Sequence, residues 1–303
     1  MTKAGFCAIV GRPSSGKSTL LNTICGHRVS IVSPIPQTTR NKVRGIHTVE
    51  SGQGRSQIVF VDTPGFHESE KKLNRYLREV VTSALEEIDA VLYVADVSRP
   101  IGPEEEALAR LLAQVQQPVL AALNKVDVTG NRSGDYEPFL AEYLPDSALF
   151  PLSATENVGI DPLVEALAEV MPESQLLYPP EYYTDQDPEF RISEIIREQA
   201  IAHTREEVPH AIYAEVADME VRPPPPSGED PRPTLWIRAF IAVERETQKG
   251  IVVGRGGAQI RDIRKTAQAH IAELFDYRIH LDLRVKVHPK WRRADAVLTR
   301  LVH

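Results

Sequence analysis

Apolar residues fall into two rhythms along the chain. Short unbroken runs of strand length occur at Phe6–Val10, Ala90–Ala95, Pro118–Leu123 and Ala148–Leu152. Such runs predict strands buried on both faces of a parallel sheet. Between them the spacing changes to that of helices. Lys17–Cys25 reads as a helix stopped at Gly26. Leu73, Tyr76, Leu77, Val80, Val81, Ala84, Leu85 and Ile88 mark one face of an amphipathic helix. Pro103 suits a first helical position, and Glu104, Glu105 and Glu106 suit the helix dipole after it. The stripe Leu108, Leu111, Leu112 and Val115 is core-facing. Asp161-Pro162 is expected to cap a helix over Leu163 to Met171. Gly45–Glu50 and Gln57–Val61, joined by Ser51-Gly-Gln-Gly, predict an antiparallel hairpin. The order from Phe6 to Met171 reads βαββαβαβαβα, a three-layer α/β domain with a mostly parallel sheet and one antiparallel strand.

A different pattern follows. Pro172 to Pro188 is rich in Pro, Tyr, Glu and Asp, lacks helical periodicity and reads as a linker. Glu189–Glu206 is helical, with Ile192, Ile195, Ile196 and Ala200 on one face. Ala211–Val221 and Leu235–Val243 are strands, separated by a proline-rich stretch that cannot join a ladder. Then come an apolar segment at Ile251–Val253, the loop Gly254-Arg255-Gly256-Gly257, and a helix with Ile260, Ile263, Ala267, Ile271 and Leu274 inward. Ile279, Leu281, Leu283, Val285 and Val287 alternate as a closing strand, and Trp291–Leu301 reads as a basic helix. The division expected is 1–172, a linker at 173–188, and a smaller α+β domain at 189–303.

Composition sharpens this picture in three ways. A chain of 303 residues with 42% hydrophobic content is long enough for two cores. Cys7 and Cys25 both fall in core elements, which suits a reducing cytoplasm rather than a disulfide framework. The first strand begins too early to leave room for a signal peptide, and no apolar run approaches the ~20 residues that span a bilayer. A cytoplasmic monomer is expected; the sequence leaves peripheral membrane association open. Net charge is −7, which argues against a polyanionic partner until its distribution is read. Leu235 to His303 carries 14 Lys/Arg and 7 Asp/Glu, whereas the rest carries 21 and 35. Any polyanion is therefore expected at the C-terminal end.

The loops carry the chemistry. Gly11-Arg12-Pro13-Ser14-Ser15-Gly16-Lys17-Ser18 lies between a buried strand and a helix, the arrangement of a phosphate-binding loop. Its glycines let backbone N–H groups converge on phosphate oxygens at a helix N-terminus. Lys17 can reach the outer phosphates and Ser18 can ligate Mg²⁺. Asp62 ends a buried strand within Asp62-Thr63-Pro64-Gly65, where its carboxylate can hold Mg²⁺ through water and Gly65 can offer its N–H to a terminal phosphate. The polar loop Ser33 to Arg44 contains Thr38 and Thr39, either of which could close over the metal on spacing alone. Asn124-Lys125-Val126-Asp127 reads guanine: Asp127 can accept from N1–H and the 2-amino group, a donor pair adenine lacks. Asn124 can tie this loop to the phosphate loop, and the Lys125 stem can cover the ring. Backbone N–H groups of Ser153-Ala154-Thr155 can meet the guanine oxygen. In the second domain, the Gly254–Gly257 loop and the basic Lys249, Arg255, Arg261, Arg264 and Lys265 suit a nucleic-acid backbone.

Together the loop with Gly-x-Pro, Gln37-Thr38-Thr39-Arg40, Asp62-Thr-Pro-Gly, Asn124-Lys-x-Asp and Ser153-Ala154 resemble the motifs of translation-factor-type GTPases. Val243 to Gly257, Val-Glu-Arg-Glu-Thr-Gln-Lys-Gly-Ile-Val-Val-Gly-Arg-Gly-Gly, resembles the hallmark of the Era family of bacterial ribosome-assembly GTPases, and the likeness covers essentially the whole chain. The resemblance implies a P-loop GTPase domain followed by a type II K-homology domain. It implies GTP or GDP and Mg²⁺ as ligands, and single-stranded RNA near the 3′ end of small-subunit ribosomal RNA, in the 30S subunit, as partner. Carried onto this chain, the nucleotide would meet Gly11, Ser14, Ser15, Gly16, Lys17, Ser18, Thr19, Asp62, Gly65, Asn124, Lys125, Asp127, Ser153 and Ala154. Thr39 would join Ser18 and Asp62 at Mg²⁺, and Lys17, Thr39 and Gly65 would serve catalysis. RNA would meet Lys249, Gly254, Arg255, Gly256, Gly257, Ile260 and Arg261. Two departures stand out. Ser14 stands where many relatives have an asparagine that some of them use to recruit K⁺, so the resemblance leaves K⁺ dependence open. Phe66 stands where Ras-like proteins place a water-orienting glutamine, which implies slow intrinsic hydrolysis; Arg40 is the candidate arginine finger. The rival functions are a regulatory or tRNA-associated GTPase, and an RNA chaperone with a structural nucleotide domain.

Overall fold

The computed structural model describes residues 2–33, 35, 38–51, 54–66, 83–85, 87–224 and 230–293. The chain divides between Asp185 and Gln186 into two units.

The first unit is built on a six-stranded sheet in the order β2-β3-β1-β4-β5-β6. Its strands are β1 (Thr2–Val10), β2 (Val43–Ser51), β3 (Gly54–Asp62), β4 (Ala90–Asp96), β5 (Val119–Asn124) and β6 (Ala148–Leu152). Only β2 runs antiparallel to its neighbour. Every residue of β4 is buried, as an apolar run at the centre of a covered parallel sheet requires. Among the described residues its helices are α1 (Lys17–Cys25), α2 (Pro103–Leu112), α3 (Ser133–Tyr143) and α4 (Ile160–Val170). The hallmark of this topology is that all phosphate and base loops emerge at the carboxyl ends of β1, β3, β5 and β6.

Several details differ from the sequence reading. α4 starts at Ile160 with Gly159 in the left-handed region as its N-cap, φ 73°, so Asp161 and Pro162 lie inside the first turn. An added Cβ at Gly159 would stand 2.4 Å from the Pro151 carbonyl oxygen, which is why a side-chain cap is absent there. α3 contains Pro138 and has little amphipathic contrast, with only Tyr136 and Leu140 buried. Most of the helix expected over Leu73–Ile88 lies outside the described residues.

The stretch Pro172–Asp185 does not run free of the first unit. The Gln57 side chain accepts from the backbone N–H groups of Leu177 and Tyr178, both at 2.9 Å, and donates to the Tyr178 carbonyl at 2.9 Å. Ile46 N–H donates to Tyr183 O at 2.9 Å, and Thr184 Oγ1 donates to Arg44 O at 2.7 Å. Arg44 pairs with Asp185 at 2.9 Å, and the His27 and Tyr183 rings stack 4.1 Å apart.

The second unit carries α5 (Pro188–Ala202), the short α6 (Val208–Ala211), β7 (Tyr213–Arg222), β8 (Thr234–Val243), α7 (Glu246–Val253), α8 (Ala258–Leu274) and β9 (Arg278–Val287). The sheet order is β7-β8-β9, with β7–β8 antiparallel and β8–β9 parallel. Ile192, Ile196, Ile237, Ile241, Ile263 and Ile271 meet in one core. Asp187 caps α5 by accepting from Glu189 N–H at 2.8 Å. The apolar segment Ile251–Val253 forms the last turn of α7. Ala211 closes α6, so β7 begins two residues later than the alternation suggested. Of the basic C-terminal helix, only the 3-10 turn Trp291–Arg293 lies within the described residues.

Candidate functional site: a phosphate and base pocket, and a basic cleft

The loop between β1 and α1 needs backbone that only small residues adopt easily. Gly16 caps α1 with φ 97°, and an added Cβ there would stand 2.2 Å from Asn124 Nδ2. Ser14 also sits at positive φ, 63°, a region where a non-glycine residue costs about 1–2 kcal/mol. The loop therefore holds its shape through tertiary bonds. Asn124 Nδ2 donates to Ser15 O at 2.8 Å, and Lys125 Nζ donates to Ser14 O at 2.8 Å. Asn124 Oδ1 accepts from Lys125 N–H at 2.9 Å and from Ala154 N–H at 3.0 Å. The Ala154 N–H expected to face the base is thus engaged by Asn124. Lys125 Nζ also pairs with Asp96 at 2.7 Å. Burial raises the Asp96 carboxyl, but Lys125 and Ser98 outweigh it and hold the group below its usual range.

A cavity of about 370 Å³ opens over this loop, lined by Pro13, Ser14, Gly16, Lys17, Ser18, Thr19, Thr39, Gly65, Asn124, Lys125 and Ala154 among others. Lys17 is buried, and its Nζ donates to Gly11 O at 3.1 Å and Arg12 O at 3.0 Å. Burial lowers its pKa to about 8, with Asp62 and Glu105 pulling the other way. Ser18 Oγ donates to Asp62 Oδ2 at 2.6 Å and lies 2.9 Å from Thr39 Oγ1. Ser30 Oγ, unremarked in the sequence, donates to the same Asp62 oxygen at 2.8 Å. Burial raises the Asp62 pKa against the pull of Lys17 and these hydroxyls. Its second oxygen, Oδ1, is buried and has no hydrogen-bond partner. Three oxygen side chains and one orphaned carboxylate oxygen suit a hard divalent cation. Thr38 Oγ1 donates to Ile35 O at 2.6 Å, so Thr39 is the threonine that reaches this cluster.

Gly65 packs on the loop so closely that an added Cβ would lie 2.6 Å from Pro13 Cα. Phe66 N–H donates to Gly11 O at 3.0 Å, and its ring is buried in the core with Ile88 and Val91. Arg40 is buried in this conformation. Asp127 is exposed, and Ser153 is buried in a two-way bridge with Val158. Gly11, Ser15, Asp62, Asp127 and Ser153 do not line the cavity itself. Gly11, Ser15, Asp62 and Ser153 are nevertheless buried.

In the second unit the glycine loop follows α7 directly. Gly254, Gly256 and Gly257 all have positive φ, 71°, 60° and 75°. An added Cβ at Gly254 would stand 2.7 Å from Gln259 Cβ, whereas at Gly256 it would meet nothing within 4 Å. Gly256 and Arg255 are exposed, Ile260 is partly buried on the core, and Lys249 leans toward Glu246 at 3.7 Å. In the same unit a cleft of about 480 Å³ lies along α8, from Arg261 onward, and the start of β9. Arg232, Arg261, Arg264, Lys265 and Arg278 line it with no acidic side chain. Gln268 Nε2 fixes one wall by donating to Ile279 O at 2.7 Å. The sequence showed the basic residues of α8; that Arg232 and Arg278 join them depends on the β8–β9 register. No helix among the described residues is long and apolar enough to cross a membrane.

Comparison with known proteins identifies a family for each unit. Residues 6–125 match the family model of the 50S ribosome-binding GTPases, and residues 207–292 match that of KH domains. The chain is 47% identical to GTPase Era of Treponema denticola over 98% of this chain and 99% of that one. It is 41% identical to GTPase Era of Borrelia garinii over 99% of this chain and all of that one. A crystal structure of an Aquifex aeolicus Era variant bound to GDP·AlF4⁻ superposes with a TM-score of 0.89 at 34% identity, covering 99% of this chain and 98% of that one. A crystal structure of Era with MgGDPNP and nucleotides 1506–1542 of 16S ribosomal RNA superposes with a TM-score of 0.88 at 33% identity and the same coverage. With GTPase and KH family models matched in one chain, and relatives matched end to end, the chain belongs to the Era family of GTPases.

Proposed function

We propose that this protein is a cytoplasmic, monomeric GTP-dependent switch that binds single-stranded RNA at the 3′ end of small-subunit ribosomal RNA and assists 30S maturation. The observation that carries the nucleotide half is the convergence of Ser18, Thr39 and Asp62 beside Lys17 under one cavity. The relatives support the RNA half, because an Era structure holds nucleotides 1506–1542 of 16S ribosomal RNA.

GTP phosphates lie against Gly11–Ser18, and Lys17 exchanges its bonds to Gly11 O and Arg12 O for phosphate oxygens. Ser18, Thr39 and Asp62 would hold Mg²⁺, whose charge would offset the negative charge shared by the β- and γ-phosphates. Lys125 covers the base, and Asp127 accepts from its N1–H and 2-amino group. Water attacks the γ-phosphorus in line, the bond to the β–γ bridging oxygen breaks, and GDP leaves with that oxygen. Lys17 and the Gly65 N–H stabilise the charge that develops. The buried Phe66 offers no hydrogen bond to the water, which keeps the intrinsic rate low. Ordering of the Thr39 and Gly65 segments by the γ-phosphate alters RNA affinity in the second unit. In the second unit, the phosphate backbone follows Gly254–Gly257 and the basic face of α8.

The test is RNA binding to an oligonucleotide of the 16S 3′ end, measured with GDP and with a non-hydrolysable GTP analogue, alongside phosphate release. Equal affinity in both nucleotide states would remove the switch. A preference for tRNA over the 16S fragment would favour the tRNA-associated alternative.

A further inference from the structure

Arg12 follows Gly11 in the phosphate loop, yet its side chain turns away from the cavity and into the protein. Its Nε forms an ion pair with Glu105 of α2. Nη2 donates to the Tyr136 hydroxyl of α3 at 3.2 Å, and Nη1 to the Pro100 carbonyl at 3.4 Å. Glu105 is fully buried, and its other oxygen accepts from the Tyr93 hydroxyl of β4. Tyr136 in turn donates to the Asp96 carbonyl at 3.2 Å. Burial raises the Glu105 pKa, opposed by Tyr93 and Arg12, so the carboxylate depends on these partners. Placing a charge in a sheet–helix core is unfavourable unless it is paired. A stripe of α2 that otherwise buries Leu108 and Leu112 would accommodate an apolar residue at this point.

The location explains what the pair accomplishes. The Arg12 carbonyl accepts from Lys17 Nζ at 3.0 Å and from Ser15 N–H at 3.3 Å. The next residue, Pro13, is the surface on which Gly65 rests. The later half of the loop is fixed separately, by Lys125 on Ser14 and Asn124 on Ser15. The first half is also held by Phe66 N–H and Lys17 Nζ on Gly11 O, but among the described contacts Arg12 is the residue whose side chain ties that half to α2 and α3.

We propose that Glu105 is a positioning residue: through Arg12 it fixes Arg12–Pro13 so that Pro13 and Gly65 are correctly spaced around the terminal phosphate. The inference rests on reading Gly11–Ser18 as the phosphate loop. It predicts a selective defect. Affinity for GDP, set by the later half of the loop and the base contacts, is retained. Discrimination in favour of the γ-phosphate, and its hydrolysis, are lost.

The experiment compares wild type with Glu105→Gln, Arg12→Lys and the double variant Arg12→Met/Glu105→Gln. Breaking one partner of a buried pair can unfold a protein, whereas removing both charges is often neutral, so the double variant keeps the test usable. The readouts are thermal midpoint, affinity for GDP and for a non-hydrolysable GTP analogue, and single-turnover hydrolysis. For the double variant the expected result is a near-native midpoint and GDP affinity within about threefold of wild type. The ratio of GTP-analogue to GDP affinity and the hydrolysis rate should each fall about tenfold or more, which is about 1.4 kcal/mol per tenfold. A folded double variant with wild-type discrimination and rate overturns the proposal. Parallel loss of both nucleotides, or unfolding of every variant, overturns it too, because the pair would then be structural only. Failure of wild type to bind either nucleotide would instead refute the phosphate-loop reading.

Discussion

Asn124 Nδ2 lies 2.8 Å from the Ser15 carbonyl oxygen and bridges 109 residues of sequence to join the base loop to the phosphate loop. The same side chain also accepts from the Lys125 and Ala154 N–H groups, so one amide satisfies three backbone groups. Asn124→Ala leaves two buried backbone groups, Ser15 O and Ala154 N, without this partner. At about 1–3 kcal/mol per unsatisfied group, GTP and GDP affinities should both fall at least tenfold and the thermal midpoint should drop by several degrees. Fluorescent-GDP titration and a melting curve measure both. Retention of wild-type affinity by a folded Asn124→Ala variant would show that the two loops are positioned independently.

The two adjacent threonines are expected to behave differently. Thr39 Oγ1 reaches Ser18, while Thr38 Oγ1 turns back to Ile35. Thr39→Ala should reduce single-turnover GTP hydrolysis about a hundredfold, a loss of ~2.7 kcal/mol in the transition state, with GDP affinity little changed. Thr38→Ala should cost less than about tenfold. The reverse ranking would assign the metal-facing role to Thr38.

Lys17 makes nucleotide binding pH-dependent. Burial brings its pKa to about 8 in the free protein, below the ordinary 10.5. Its charged form is therefore disfavoured on folding. That cost is present below pH 8 and is relieved as pH rises toward 10.5, so this group makes the free protein more stable across that window. Phosphate restores the ammonium form. Binding of GDP at about pH 9 should then take up close to one proton, with affinity falling toward tenfold per pH unit. Calorimetry in two buffers of different ionisation enthalpy reads the proton count directly, and zero uptake would contradict the assignment of Lys17.

The cleft along α8 concentrates cations: Asp230 and Asp276 flank Arg232, while Arg261, Arg264 and Lys265 line it from the helix. Arg264→Ala/Lys265→Ala should weaken binding of the 16S 3′-end oligonucleotide about tenfold at physiological salt. It should also lower the slope of log affinity against log salt by about one to two. Filter binding at several salt concentrations measures both. An unchanged slope would place the backbone contacts elsewhere.

Much of this was legible from the chain because the relevant signals are local. Gly11–Ser18 and Asn124–Asp127 each announce their chemistry in a few consecutive residues, and β4 announces itself by an unbroken apolar run. The details that escaped are set by tertiary structure. The cap of α4 is Gly159 rather than Asp161 because a carbonyl of β6 stands where a side chain would go. α3 is weakly patterned and carries a proline, so its exact placement follows from the sheet it covers rather than from its own periodicity. Pro172–Asp185 has a linker's composition, but Gln57 and Arg44, more than a hundred residues earlier, hold it in place. The sequence reading assigned Arg12 no role within the glycine loop. Its partners Glu105 and Tyr136 come from two separate helices, Tyr93 of β4 reaches it only through Glu105, and no spacing rule connects them.

The buried ring of Phe66 has a consequence for timekeeping. A switch in which this position cannot aim the attacking water would have a long-lived active state, and the length of that state would not be set by this residue alone. Whatever supplies the missing hydrogen bond sets the interval. Under the function proposed above, the interval would be a property of the bound partner: hydrolysis would wait until that partner completes the site.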